Sequence, residues 1–243
     1  MNNIKMVFEE YLNAPKNIKK MGLTWGYFLG GVVGIILLVI LYWISGFFEG
    51  AIYEKLSNIF NIQDHILIVK FVIAFIIKLL MIAIYYFFFK TVLLIILAPF
   101  FGYISEKIEN KLENREYKFS LKDNLNFIGR GVKVAVKTFF KEMILTIVIL
   151  LLSFIPLVNL AVPILLFLIQ SYFISFNFVD YSLERAGYGP KETLNFMKKY
   201  KVPFTFGGGI FTVLYFIPIV GIFVAPIISI MAFTTLTLKF LKD

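Results

Sequence analysis

Phe154-Ile155-Pro156-Leu157-Val158-Asn159-Leu160-Ala161-Val162-Pro163 breaks an uncharged apolar block, and Phe216-Ile217-Pro218-Ile219-Val220-Gly221-Ile222-Phe223-Val224-Ala225-Pro226 breaks a second one in the same way. The two blocks, Met143 to Val179 and Val202 to Leu238, contain no Asp, Glu, Lys or Arg. Each is too long for one membrane helix and marginal for two full spans with a turn. From Met143 to Ile155 a helix rises ~20 Å at ~1.5 Å per residue, well short of a ~30 Å hydrocarbon core. The expectation is therefore a pair of re-entrant, half-penetrating hairpins that turn at Pro156 and Pro163 and at Pro218 and Pro226. The other reading is two hairpins of short spanning helices that turn at the far surface. Non-helical backbone at membrane depth is tolerated only where it packs in protein or lines a wet cavity. A re-entrant pair would thus point to a pore or substrate site.

The rest of the chain fits the same setting. Of its 243 residues 60% are hydrophobic and 16% charged, with a mean hydropathy of +0.85, whereas a soluble domain carries about 25% charged residues. This predicts an all-α integral membrane protein with a single membrane domain over 1–243. Residues 1–21 read as an amphipathic N-terminal segment. Two long transmembrane helices are expected at 22–48 and 66–98, the second ended by Pro99, which cannot continue the hydrogen-bond ladder. Cytoplasmic or interfacial helices follow at 105–142, then the first hairpin at 143–179, a cytoplasmic loop and helix at 180–201, and the second hairpin at 202–238.

Charge sets the expected topology. Glu49 to His65 holds Glu49, Glu54 and Asp64 against Lys55 and reads as an external loop, while nearly all Lys and Arg lie in the other polar segments. The positive-inside rule places those segments in the cytoplasm, where a net charge of +9 meets anionic lipid rather than nucleic acid. The first apolar stretch follows Lys16, Lys19 and Lys20, is too long for a signal-peptide core, and should persist as an anchor. Phe127, Val132, Val136, Phe139 and Phe140 form an apolar stripe with Arg130, Lys133, Lys137 and Lys141 off it, the pattern of a helix lying along the headgroups. Gly187-Tyr188-Gly189-Pro190 predicts a turn and a helix start.

Few residues offer chemistry. Gly22, Gly26, Gly30 and Gly34 share a helix face and allow close helix packing, either within the chain, the favoured reading, or between subunits. Lys70, Lys78 and Lys90 interrupt the second span. Lys78 lies deepest and is the candidate for a solute pathway, with Asn159 and Gln170 as further polar positions on it. There is no cysteine, and His65 is the single histidine, so neither a metal site nor a catalytic set is expected, and no cofactor. Gly207-Gly208-Gly209 lacks the strand and Lys-Ser/Thr of a phosphate loop and reads as a flexible or closely packed point.

Ala98-Pro99-Phe100-Phe101-Gly102-Tyr103, with Glu106 and Ile108-Glu109, resembles the motif that ends the second helix of CysZ-type sulfate permeases, the etoposide-induced-protein-like membrane domain. The paired Phe-Ile-Pro turns, Asp180-Tyr181 and the basic helix running up to Phe206-Gly207 are similar to that family as well, in order along nearly the whole chain. The resemblance implies two long membrane helices, two half-penetrating hairpins, a homo-oligomer in a bacterial inner membrane, and entry of a small anion, sulfate, for sulfur assimilation. It also implies an anion site at the start of the first helix. There the family's Gly-Leu/Ile-Arg pattern reads Gly22-Leu23-Thr24-Trp25 here, without the arginines, leaving Lys19, Lys20, Gly22, Leu23 and Thr24 as the anion-binding candidates. The alternative expectation is a non-transporting scaffold whose basic interfacial helices bind anionic lipid or a partner protein.

Overall fold

The structure, a computed structural model, describes residues 3–60, 66–114, 121–217 and 219–243. His65, Pro218 and the side chain of Lys90 lie outside the described residues. The described residues form α1 (Asn3–Lys20), α2 (Gly26–Phe60), α3 (Ile66–Glu113), α4 (Leu121–Leu152), α5 (Pro156–Asn159), α6 (Val162–Arg185), α7 (Pro190–Lys199), α8 (Lys201–Tyr215) and α9 (Val220–Leu241), with no strand among them. The all-α class holds. Three of these helices, Gly26–Ile52 within α2, α6 and α9, are long and apolar enough to cross a membrane.

Two compact units result: Met1–Gly31 with Leu94–Asp243, and Val32–Leu93. In the larger unit α6 packs on α8 and α4, and α9 on α1, α8 and α6. Its centre is aromatic: Phe178 and Phe233 stack with centroids 5.4 Å apart, flanked by Phe211 and Phe204. In the smaller unit many apolar side chains face outward, among them Trp43, Phe47 and Phe71, as expected where lipid rather than water is the solvent.

Several element boundaries differ from the sequence reading. Pro99 does not end a helix; α3 runs through it to Glu113. A proline removes one N–H and so orphans one carbonyl, that of Ile95, a loss that neighbouring groups in a packed helix can absorb. Here the Tyr181 hydroxyl donates to the adjacent Leu94 carbonyl at 3.3 Å. Nor is there a break at the junction of 105–142 with the first hairpin: α4 is continuous from Leu121 to Leu152, since Lys141-Glu142-Met143 contains no helix breaker. Glu49 to Phe60, read as part of a loop, is the end of α2.

The hairpin breaks are where the sequence puts them, but their prolines differ in role. Pro156 opens the short α5 and Pro163 sits in the first turn of α6, where a missing N–H costs nothing. Pro226 is not a turn residue: it lies inside α9. Its ring deprives the Ile222 carbonyl of the N–H four residues on. A Cβ on Gly30 would overlap that same carbonyl oxygen, so the glycine lets α2 approach the kink closely. A Cβ on Gly26 would meet the end of the Ile227 side chain, so both glycines of this face have an intramolecular partner in α9. Gly22 is not on that face; it precedes α2 with φ 67° in the turn after α1.

The two hairpins have unequal arms. The apolar part of α4 beyond Glu142 rises ~15 Å and α8, with 15 residues, ~22 Å, whereas α9, with 22 residues, rises ~33 Å. At the tips Phe154, Leu157 and Leu160 are 84%, 85% and 81% exposed, and Phe216 and Ile219 are also exposed. Leucine and phenylalanine so displayed are unfavourable in water. Much of the first tip's backbone is satisfied locally. Ser153, Phe154 and Ile155 donate back to carbonyls at the end of α4, Val158, Asn159 and Ala161 donate to carbonyls within the turn, and Pro156 has no donor to satisfy.

Candidate functional site

The first candidate is a buried ionic network that the sequence reading missed. Acidic residues in polar, amphipathic segments are ordinarily solvated, yet Glu109, Asp180 and Glu184 face inward. The Arg185 side chain is 3% exposed. Its guanidinium donates to both Glu109 carboxylate oxygens at 2.9 and 2.7 Å, to the Gly102 carbonyl at 3.2 Å, and to the Ser105 hydroxyl. Ser105 continues to Thr234 at 2.8 Å and Ser182 at 3.2 Å, so α3, α6 and α9 are tied at one point. Beside it Arg130 of α4 donates to Asp180 at 2.9 Å and to the Tyr188 carbonyl at 2.6 Å, and lies 3.5 Å from Glu184. Thr193 of α7 donates to the same Asp180 oxygen at 2.8 Å.

This arrangement corrects the reading of α4. Its buried face is Gly131, Val134, Ala135, Thr138 and Glu142, with Thr138 donating to Asn177 at 2.9 Å. Val136 and Phe140 of the expected stripe, and Lys133, Lys137 and Lys141, are exposed. Arg130 is therefore engaged within the protein and is not a lipid-facing charge. The family-like motif meets the network directly: Gly102 and Glu109 hold Arg185, and a cavity of about 140 Å³ beside them is lined by Pro99, Tyr103, Glu106 and Tyr181. The carboxylates already occupy both guanidiniums here, so the network offers no free positive charge to an anion. It ties α3, α4, α6, α7 and α9 together.

The second candidate is the turn between α1 and α2, where the resemblance places an anion. Leu23 is fully buried and anchors the turn, while Gly22 and Thr24 are exposed. Leu23 N–H donates to Ile18 and Gly26 N–H to Leu23. Among the described residues the N–H groups of Thr24 and Trp25 find no acceptor within the chain. They sit ahead of the N-terminus of α2, the positive end of its dipole. Lys19 and Lys20 close α1 just upstream, and Lys111 of α3 donates to the Lys20 carbonyl at 3.0 Å. The turn thus gathers three cations, one of which, Lys111, is far away in sequence and was not expected.

The remaining positions do not join this turn. Lys78 lies in the smaller unit, half exposed, with Nζ 3.7 Å from Glu49, and lines a cleft with Tyr42 and Ser45. Its acidic partner had been assigned to a loop, and an intrahelical-looking charge is here one half of an ion pair. Asn159 is exposed at the first hairpin tip and Gln170 is half-buried on α6; neither side chain makes a hydrogen bond among the described residues. Gly34 falls in the smaller unit. Gly207-Gly208-Gly209 proves to be the closely packed point: a Cβ on Gly208 would overlap the Ser171 carbonyl oxygen of α6. The Tyr11 hydroxyl of α1 donates to the Gly207 carbonyl at 2.9 Å and lies 3.1 Å from the Ser229 hydroxyl, which can donate to it, so the N-terminal segment is docked into the bundle.

These features define an all-α integral membrane protein built around two proline-broken hairpins, its basic segments joined by contacts among α1, α3, α4, α6 and α9. Residues 14–226 match the family described as sulfate transporter CysZ/etoposide-induced protein 2.4, and the chain belongs to that family. No curated protein matches it in a sequence search.

Proposed function

We propose that this protein is a membrane permease for sulfate or a related small oxyanion, which it recognises at the α1–α2 turn. The observation that carries the reading is the pair of unpaired N–H groups of Thr24 and Trp25 beside Lys19, Lys20 and Lys111. Backbone donors at a helix start bind tetrahedral oxyanions. Lysine gives a point charge in place of arginine's planar fork, so discrimination among oxyanions is weaker than an arginine pair would provide. The apolar tips and the largely local hydrogen bonding of the first hairpin's turn support half-penetration, with both hairpins returning to the side of the basic segments. The positive-inside bias makes that side cytoplasmic in a bacterial inner membrane. Tips at membrane depth call for protein cover, which favours a homo-oligomer.

Radiolabelled sulfate uptake into proteoliposomes tests the proposal. Uptake should exceed that of empty vesicles and be competed by selenate and sulfite. Replacing Lys20 and Lys111 by Glu together should lower it by about tenfold or more, because two attractive charges become repulsive. Uptake equal to empty vesicles across several oxyanions would sink the reading.

A further inference from the structure

A groove of about 990 Å³ runs between α6 and α8, with Phe167, Leu168, Val202, Phe206 and Val213 among its walls. One end differs from the rest. Lys198, at the end of α7, and Lys201, at the start of α8, both line it there; both are exposed and make no ion pair among the described residues. One turn further along α8, Thr205 also lines the groove, with its hydroxyl oxygen buried. The order is cations first, then an apolar trough. From Lys201 to Leu214 the α8 wall rises ~20 Å, somewhat more than the half of a ~30 Å core that belongs to one leaflet.

We propose that this groove binds one anionic phospholipid, its phosphate held by Lys198 and Lys201 and an acyl chain lying along α8. Charge complementarity selects the occupant. An apolar trough alone would accept any hydrocarbon, but two unpaired lysines at its mouth discriminate in favour of a negative headgroup, each worth about fivefold. The site is separate from the α1–α2 turn, and its readout is bound lipid rather than flux, so its failure would leave the permease reading standing.

Native mass spectrometry of the purified full chain, given equal phosphatidylglycerol and phosphatidylcholine of matched acyl chains, tests the site. One phosphatidylglycerol should be retained, preferred by at least tenfold. Lys198→Ala with Lys201→Ala should bring its retention down to that of phosphatidylcholine. Val213→Trp, at an exposed position on the trough wall, should reduce retention of both. Lys133→Ala, Lys137→Ala and Lys141→Ala together, on the exposed face of α4, should change neither. Equal retention of the two lipids by the unaltered protein, or an equal loss in the α4 variant, would overturn the proposal. So would a Val213→Trp variant that keeps its lipid but changes its oligomeric state, since a second copy of the chain would then be the occupant.

Discussion

Arg185→Ala should destabilise the folded protein by about 3–5 kcal/mol, the range for a buried ion pair that loses one partner. Arg185 is the only cation that contacts Glu109 in the network, and it also satisfies the Gly102 carbonyl. Its removal leaves a carboxylate whose remaining partner is the Ser105 hydroxyl at 3.4 Å, with no compensating charge. Thermal unfolding in detergent, followed by size-exclusion chromatography, measures the loss. A double variant, Arg185→Met with Glu109→Leu, should recover most of it, because deleting both charges removes the desolvation cost as well as the attraction. A single variant that melts with the unaltered protein would show that the network holds nothing together.

Gly208→Leu should disrupt the bundle at least as strongly. The α6–α8 pair is the most extensive helix contact among the described residues, and at Gly208 the two backbones approach closely. Its missing Cβ would overlap the Ser171 carbonyl oxygen and lie 2.7 Å from the Ser171 carbonyl carbon. Backbone on the far side cannot rotate away as a side chain would, so α8 must shift bodily. Even Gly208→Ala should cost about 1–3 kcal/mol, the range for overpacking a filled interior. Gly129→Ala is the control. A Cβ there meets nothing within 4 Å, and relief of glycine's entropy in a helix should stabilise by about 0.5–1 kcal/mol. Equal melting of the Gly208 and Gly129 alanine variants would refute the close-packing account.

What was legible in the sequence was what depends on local composition. Uncharged length and a repeated Phe-Ile-Pro fixed two hairpins, and Gly187 to Pro190 fixed a turn and the start of α7. Prolines were legible only when they coincide with a helix start, as Pro156 and Pro163 do. Pro99 and Pro226 sit mid-helix, where other elements pack close by: the Tyr181 hydroxyl bonds the Leu94 carbonyl beside the first, and Gly30 lies against the Ile222 carbonyl at the second. That packing comes from other elements and leaves no local signal.

The ionic network was hidden for a similar reason. Asp180, Glu184 and Arg185 share the end of α6, but their partners are on α3, α4 and α7. Solvated surface pairing is the ordinary fate of such residues, and only the fold brings Arg130 and Glu109 to them. Lys78 was recognised as exceptional from its depth, whereas Glu49 was not, because α2 was expected to stop short of it. At the α1–α2 turn, Gly22 and Leu23 pointed to the place, but the contribution of Lys111 required α3 to run on past Pro99.

The central claim is that both hairpins enter the membrane and return to the side of the basic segments. The chain contains no native cysteine, so single cysteines report without background. Cysteine in place of Asn159 or Val220, both exposed at hairpin tips, is compared with cysteine in place of Lys191, an exposed marker on the basic side. A membrane-impermeant thiol reagent is added to each face of oriented vesicles in turn. The account predicts no rapid labelling of either tip from the face opposite the Lys191 marker. Labelling of both tips from that opposite face, at the rate of an exposed loop, would contradict it and make the hairpins complete spans.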